Sequence, residues 1–429
     1  MYKSLRALVC AAVLCIAFGA QAQNIGNAPY SRFGIGEYNY NTGNIRNAGM
    51  ANTGVGAASS FQINTANPSL LFYNSTTSFE IGVGGEVKKL KAGSGSQVDG
   101  AANLSSVTFS VPLAKFWTTA LSLRPYSNVA YDVRYTSNLT ANDTVTTRYK
   151  GEGGITELYF GHGVKITKGL TIGASGSYLF GRITEESATS IRNAEIDKGL
   201  SFQEVAFSEK TKYSDLLFRV GANYRQKLKD KMFMSAGAVY TLKTDLSADR
   251  NTSFERRASF GNVIEDSLYT STSESAVNIP SSFSAGVSID NGSNLTFAAD
   301  YVAQQWSGFR NFAGEQELAD SYRASIGAEY TPDANSVGNY FERVTYRAGL
   351  YYGNTPYIRK GEQIKDKGVT AGFTMPFGRS TIYDMYQLNT ALGYGVRGTT
   401  DNGLVQENYF KFDIGVTINS RWFIKRRLE

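Results

Sequence analysis

The chain has 429 residues, a formal net charge of +6 and one histidine. Its basic residues are scattered and form no stripe, which argues against nucleic acid as a partner. Its mean hydropathy of −0.26 does not make it a soluble protein, because a transmembrane barrel alternates lipid-facing and lumen-facing residues and averages out near that value.

The N-terminus reads as an address. Lys3 and Arg6 form a basic start, residues 7–18 an apolar run, and Ala20-Gln21-Ala22 a small-residue cleavage site, the pattern of a secretory signal peptide over residues 1–22. The run is too short for a spanning helix, which needs about 20 apolar residues. Cys10 and Cys15 both lie inside it, and Leu14 stands where an acylation signal would want a small residue. The mature chain is therefore expected to carry no cysteine and no disulfide.

Residues 46–71, RNAGMANTGVGAASSFQINTANPSLL, follow. Gly49, Gly54 and Gly56 each cost about 1 kcal/mol in a helix relative to Ala, and Pro68 cannot donate to a strand ladder. A compact irregular segment of small residues suits a backbone packed closely against another surface. Residues 23–76 are expected to form such a segment ahead of the first strand.

From residue 77 to 429 the pattern alternates. Leu158, Phe160, His162, Val164 and Ile166 share one face against Glu157, Tyr159, Gly161, Gly163 and Lys165. Leu216, Phe218, Val220 and Ala222 oppose Leu217, Arg219, Gly221 and Asn223, and Phe410, Phe412, Ile414 and Val416 oppose Lys411, Asp413, Gly415 and Thr417. A period of two repeated in this way marks strands. The segments number about fourteen, an even count as bacterial single-chain barrels have. They centre on Val83, Phe109, Leu123, Phe160, Ala174, Val220, Ala236, Val287, Phe297, Ile326, Ala348, Phe373, Leu392 and Ile414. Short connections at 167–169, 229–231 and 291–293 alternate with long polar ones at 138–154, 184–212, 247–278 and 304–321. That asymmetry predicts an all-β transmembrane antiparallel barrel in the cell outer membrane, with the short side periplasmic. One short-side connection, 331–343, is longer than that rule expects. Aromatics at segment ends, among them Tyr351, Tyr352, Tyr383, Tyr386, Trp422 and Phe423, suit interface girdles.

About fourteen strands, an N-terminal segment ahead of them, and Ala48-Gly49, Gly54 to Ser59 and Asn67-Pro68 together resemble the FadL/OmpP1/TodX outer-membrane transporters. Ser69 stands where that family usually has Ala. The opening Asn27-Ala28-Pro29-Tyr30 and the basic end from Trp422 look like members from Bacteroidota. The resemblance implies a lumenal hatch of residues 23–76 and hydrophobic ligands that leave sideways at a kink in the third strand. The third strand here holds Pro125, and a Pro inside a strand belongs at an edge or bulge, so Pro125, Tyr126 and Ser127 are the expected opening. The side-chain phase reads as unchanged from Leu121 and Leu123 to Val129, Tyr131 and Val133, which argues against a simple one-residue insertion.

Inward-phase charges such as Glu80, Glu86, Glu157, Arg219, Asp300, Arg323, Glu329, Arg347, Lys411 and Asp413 are expected to pair with one another, because buried charges must be paired. Leu179, Leu217, Phe233 and Val239 are expected to line an apolar slot against the hatch residues Asn67 and Pro68, with Arg124 as the cation for a ligand carboxylate. With one histidine and no cysteine after residue 22, neither catalysis nor a His/Cys metal site is expected, and no cofactor. Two functions remain. One is passive uptake of hydrophobic small molecules such as long-chain fatty acids, with outer-membrane lipid as the surroundings. The other is an accessory barrel with an outer-membrane protein partner in an assembly or secretion complex. Lumen polarity separates them, since uptake needs a continuous apolar path.

Overall fold

In the computed structural model the described residues are 27–40, 43–93, 95–140, 143–193, 203–258, 263–315, 318–378 and 384–420. The expected signal peptide over residues 1–22, and Tyr383, Trp422 and Phe423, lie outside them. The strands are β1 (Glu37–Tyr38), β2 (Thr77–Ala92), β3 (Gly95–Ala114), β4 (Trp117–Asn138), β5 (Asp143–Lys165), β6 (Leu170–Asn193), β7 (Gln203–Lys229), β8 (Met232–Thr241), β9 (Thr244–Ala258), β10 (Val263–Ile279), β11 (Ser282–Asp290), β12 (Leu295–Gln304), β13 (Ser321–Tyr330), β14 (Thr345–Arg359), β15 (Glu362–Phe377), β16 (Asp384–Arg397) and β17 (Gln406–Ser420).

β2 to β8 and β11 to β17 build a closed 14-strand antiparallel wall. It closes where β17 pairs with β2, and β8 pairs directly with β11. The intervening hairpin of β9 and β10 leaves the wall and pairs with the far half of β7. Every expected segment centre falls on a wall strand. The alternation is the cause. On β7, Leu216, Phe218 and Val220 are exposed while Leu217 and Arg219 are buried. Ile81, Val83, Ile326, Phe410 and Ile414 continue the same outward apolar belt, the lipid-facing surface of a transmembrane barrel.

Three of the stretches expected as long loops are largely strand. β7 has 27 residues, where about 9–11 cross a bilayer. Past the apolar belt the outer face no longer has to meet lipid, so Thr, Ser and charge enter it and the period-two signal fades. The fourth stretch, between β12 and β13, is irregular, with a 3-10 helix at Trp306–Gly308. Its Trp306, Phe309 and Leu318 pack with Tyr30, Ile35, Tyr126, Ile155 and Ile183 into a buried apolar cluster at the long-strand end.

Residues 27–40 and 43–76 lie against the inside of the wall. Asn44 accepts from the Asn47 N–H and caps helix α1 (Ile45–Ala48). Asn67 accepts from the Ser69 N–H and caps the 3-10 helix Pro68–Tyr73, where the fixed φ of Pro68 suits the first turn. The fit depends on wall glycines. A Cβ on Gly327 would stand 2.7 Å from the Met50 side chain, one on Gly349 2.6 Å from the Ala51 nitrogen, and one on Gly163 2.7 Å from the Phe72 nitrogen. From the other side, a Cβ on Gly56 would lie 2.6 Å from the Gly286 carbonyl oxygen. The two backbones touch with no side chain between them.

Gly349→Val should therefore overpack the lumen and cost about 1–3 kcal/mol. Gly100→Ala, whose new Cβ meets only ordinary contacts, should cost nothing measurable. The heat-induced mobility shift of the folded barrel on a detergent gel compares them, and equal thermal stability would refute the contact.

Candidate lumenal site and lateral seam

The lumen is crossed by ionic clusters, each joining several elements. Glu157 on β5 lies between two arginines, Arg124 on β4 with Nε at 3.0 Å and Arg219 on β7. Arg124 Nη1 also donates to Thr65 of the lumenal segment at 2.7 Å, and Arg219 to Ser177 at 3.1 Å. Glu329 on β13 repeats the arrangement, with Arg46 of the lumenal segment at 2.8 Å and Arg347 on β14 at 2.6 Å. Glu37 on β1 meets Lys88 and Arg397, both at 2.8 Å, and Arg397 reaches Glu407 at 3.2 Å. Asp300 on β12 accepts from the Gly54 and Val55 amides at 2.6 and 2.8 Å. Burial alone would raise the Glu37 carboxyl, but the Arg397, Lys88 and Lys411 cations outweigh it and hold it well below the usual carboxylate range.

The wall parts on one side. β3 and β4 pair only from Ala114–Trp117 to Val107–Leu123. Beyond that pair β3 continues with β2 alone, and among the wall strands β4 continues only with β5. Each strand carries an extra residue just past the last shared pair. On β3 it is Ser105, between the pairs Ser106–Gly82 and Leu104–Val83. On β4 it is Tyr126, between Pro125–Thr156 and Ser127–Ile155. Bulges bend the strands that carry them, and Pro125 sits where no ladder partner on β3 is needed. On the inner side β1 pairs with β4 through Glu37–Asn128 and Tyr38–Ser127, and the Ala28 N–H donates to the Ala130 carbonyl at 2.6 Å. Between the two edges lies a cavity of about 200 Å³ lined by Glu37, Tyr40, Asn103, Ser127, Arg323 and Lys411 among others.

Several expected residues take other roles. At Pro125, Tyr126 and Ser127, the residues expected to form the opening, β4 carries a one-residue bulge. Leu121 points outward whereas Val129 and Tyr131 are buried inward, so the phase does flip and the reading of an unchanged phase is corrected. Arg124 is no cation waiting for a ligand, since Glu157 and Thr65 hold it. Asn67 donates to the Val55 and Ala222 carbonyls, so Asn67-Pro68 anchors the segment to the wall. Leu179 and Leu217 meet in the cluster at the long-strand end. Val239 borders a separate cavity of about 50 Å³ beside Arg219 and Arg323. Phe233 is apart from all three, under the Arg225 guanidinium and beside the Gly292 turn. No common apolar slot brings the four together. The inward charges do pair as expected at Glu157, Arg219, Glu329, Arg347 and Lys411. Sequence reasoning missed Arg46 and Glu37 as their partners, although Arg46 is the only charge in residues 46–71 and was a signal in view.

A closed 14-strand wall, with part of the N-terminal segment bonded to its inner face and a seam between its second and third strands, defines a transmembrane β-barrel of the outer-membrane type. The BamG family model matches residues 1–429, and the chain belongs to the BamG family. No curated protein matches it. Among solved structures it is similar to the CymD monoaromatic hydrocarbon channel (15% identity, TM-score 0.56, covering 90% of this chain and 99% of that one). The Pseudomonas putida toluene transporter TodX is similar as well (17%, 0.56, 88% and 99%). So is a Pseudomonas aeruginosa FadL homologue (12%, 0.59, 89% and 98%). At these identities the likeness is one of fold. The family resembled in sequence thus recurs as fold neighbours, while the family matched by sequence carries a different name.

Removing Glu157 leaves two buried guanidinium groups facing each other. Glu157→Ala should cost about 3–5 kcal/mol, and adding Arg219→Met to it should recover part of that loss. Urea unfolding of the barrel in micelles measures both, and a neutral Glu157→Ala would disprove the bridging role.

Proposed function

We propose that the chain is an accessory barrel of an outer-membrane protein complex, with a lumen that serves as a structural core. The observation that carries this reading is the bonding of the lumenal segment to the wall on several sides. Arg46, Glu37, Thr65 and the Gly54–Val55 amides engage Glu329, Arg397, Arg124 and Asp300. An apolar molecule crossing that lumen would have to displace paired charges, each costly to leave buried and alone. The family name BamG is a second pointer to a protein partner. In this reading the long-strand end is extracellular, and the chain acts by presenting surfaces.

A tagged full-length chain purified from native outer membranes in mild detergent should carry a stoichiometric outer-membrane protein. Recovery as a lone barrel would overturn the proposal. The same protein in planar bilayers should not conduct at pH 7 or pH 5, and a variant lacking residues 24–74 should. The sign follows from Glu37. Its carboxyl is depressed, so its contribution is complete above the ordinary value of 4.5 and fades only as pH falls through the lower folded value. Conductance by the intact chain at pH 5 would contradict this.

A second reading rests on the seam. Uptake of hydrophobic small molecules, from monoaromatics to long-chain fatty acids, would use it as a lateral exit, and the TodX and CymD channels share the fold. Pro125→Val should then lower tracer uptake into proteoliposomes without unfolding the barrel. The absence of uptake by the unaltered chain would leave the accessory reading alone.

A further inference from the structure

The edge of β3 raises a problem that the fold does not solve by itself. Leu104 is paired with Val83, and Val83 with Ile414; Gly100 is paired with Val87, and Val87 with Phe410. Val83, Val87, Phe410 and Ile414 all belong to the exposed apolar belt. The β3 edge from Gly100 to Leu104 therefore lies at the depth of hydrocarbon. Among the described residues no strand pairs with it on the side facing β4. An open sheet edge does not persist in lipid, because each unsatisfied N–H or C=O there costs several kcal/mol. The lumenal segment does not cover it, since its hydrogen bonds go to β4 instead. The cavity can hydrate the edge only from the inside.

We propose that the open edge of β3 over residues 98–104 pairs with the edge strand of a second outer-membrane barrel. The occupant has to be a membrane-embedded strand, because it must offer apolar side chains to lipid and backbone groups to β3 together. A soluble peptide meets only the second need, and a lipid tail only the first. Gly100, Ala101 and Ala102 carry little or no side chain, so a strand can approach this stretch closely. Seating of β1 on the facing edge of β4 shows that the seam accepts added strands, the β-augmentation mode. This inference rests on the accessory-barrel reading and names where the partner docks.

The test places a photo-cross-linking phenylalanine analogue in turn at Val98, Gly100, Ala102 and Leu104 of the full chain in native outer membranes. Folding of each variant is verified by its heat-dependent gel shift, and Ile326, across the barrel, is the control. Adducts should form with one strand of one barrel protein, the contacted residue moving by two for each two-residue step along β3. Ile326 should give none. Adducts with lipid alone, with residues 27–40 of the same chain, or with a protein in no consistent register would each overturn the proposal. A complex that purifies intact but yields no such ladder rejects this docking site and keeps the accessory reading. The absence of any complex rejects the reading itself.

Discussion

The lumenal segment lies against the wall backbone to backbone, and the rest of the molecule follows from that closeness. Gly82 and Gly415 receive Ile45, Gly327 and Gly349 receive Met50, Gly372 faces Gly49, and Gly163 and Gly173 receive the turn at Pro68. Only glycine leaves room for such an approach, so the inner face gives up side-chain packing at these points. What fills the remaining positions must reach across from wall to segment. Long charged side chains do so, and once water is displaced each must find an opposite charge or, as Asp300 does, hydrogen-bond donors. The Arg–Glu–Arg clusters at Glu157 and Glu329 are the result.

The same segment explains how the wall tolerates a seam. A closed barrel satisfies its backbone through neighbouring strands, and parting β3 from β4 removes that support on both sides. Residues 28–39 restore it for β4, through the Glu37–Asn128 and Tyr38–Ser127 pairs and the Asn39 amide on the Tyr126 carbonyl. Segment and seam are therefore one construction. Deleting the first exposes the second on its inner side as well.

The wall was legible in the sequence because lipid imposes a strict period of two, and β7 or β17 can be read from their outward residues alone. Legibility ended where lipid ends. The polar halves of β5, β6 and β7 look like loops since nothing forces an apolar face there. The bulge at Tyr126 was hidden for a related reason. A one-residue insertion exchanges faces, but Val129 and Tyr131 are apolar on either face, outward toward lipid or inward toward the buried cluster with Ile155 and Ile183. The apparent continuity of phase came from two different apolar environments. Long-range partners such as Arg46 with Glu329, 283 residues apart, leave no local pattern.

A fold shared with hydrocarbon channels does not carry their function with it, because function resides in the site built on the fold. Here the question becomes which route an apolar molecule could take. At the long-strand end it meets a packed cluster of Tyr30, Trp306, Phe309 and Leu318. At the inner side of the seam it meets Glu37, Arg323 and Lys411 around a cavity of about 200 Å³, small for a site that must also strip paired charges of their partners. Both steps oppose an apolar cargo, and neither opposes a strand arriving from the membrane side. That strand never enters the charged interior. It requires only a free edge, small side chains along it, and lipid-facing neighbours at the same depth, which β3 provides between Gly100 and Leu104.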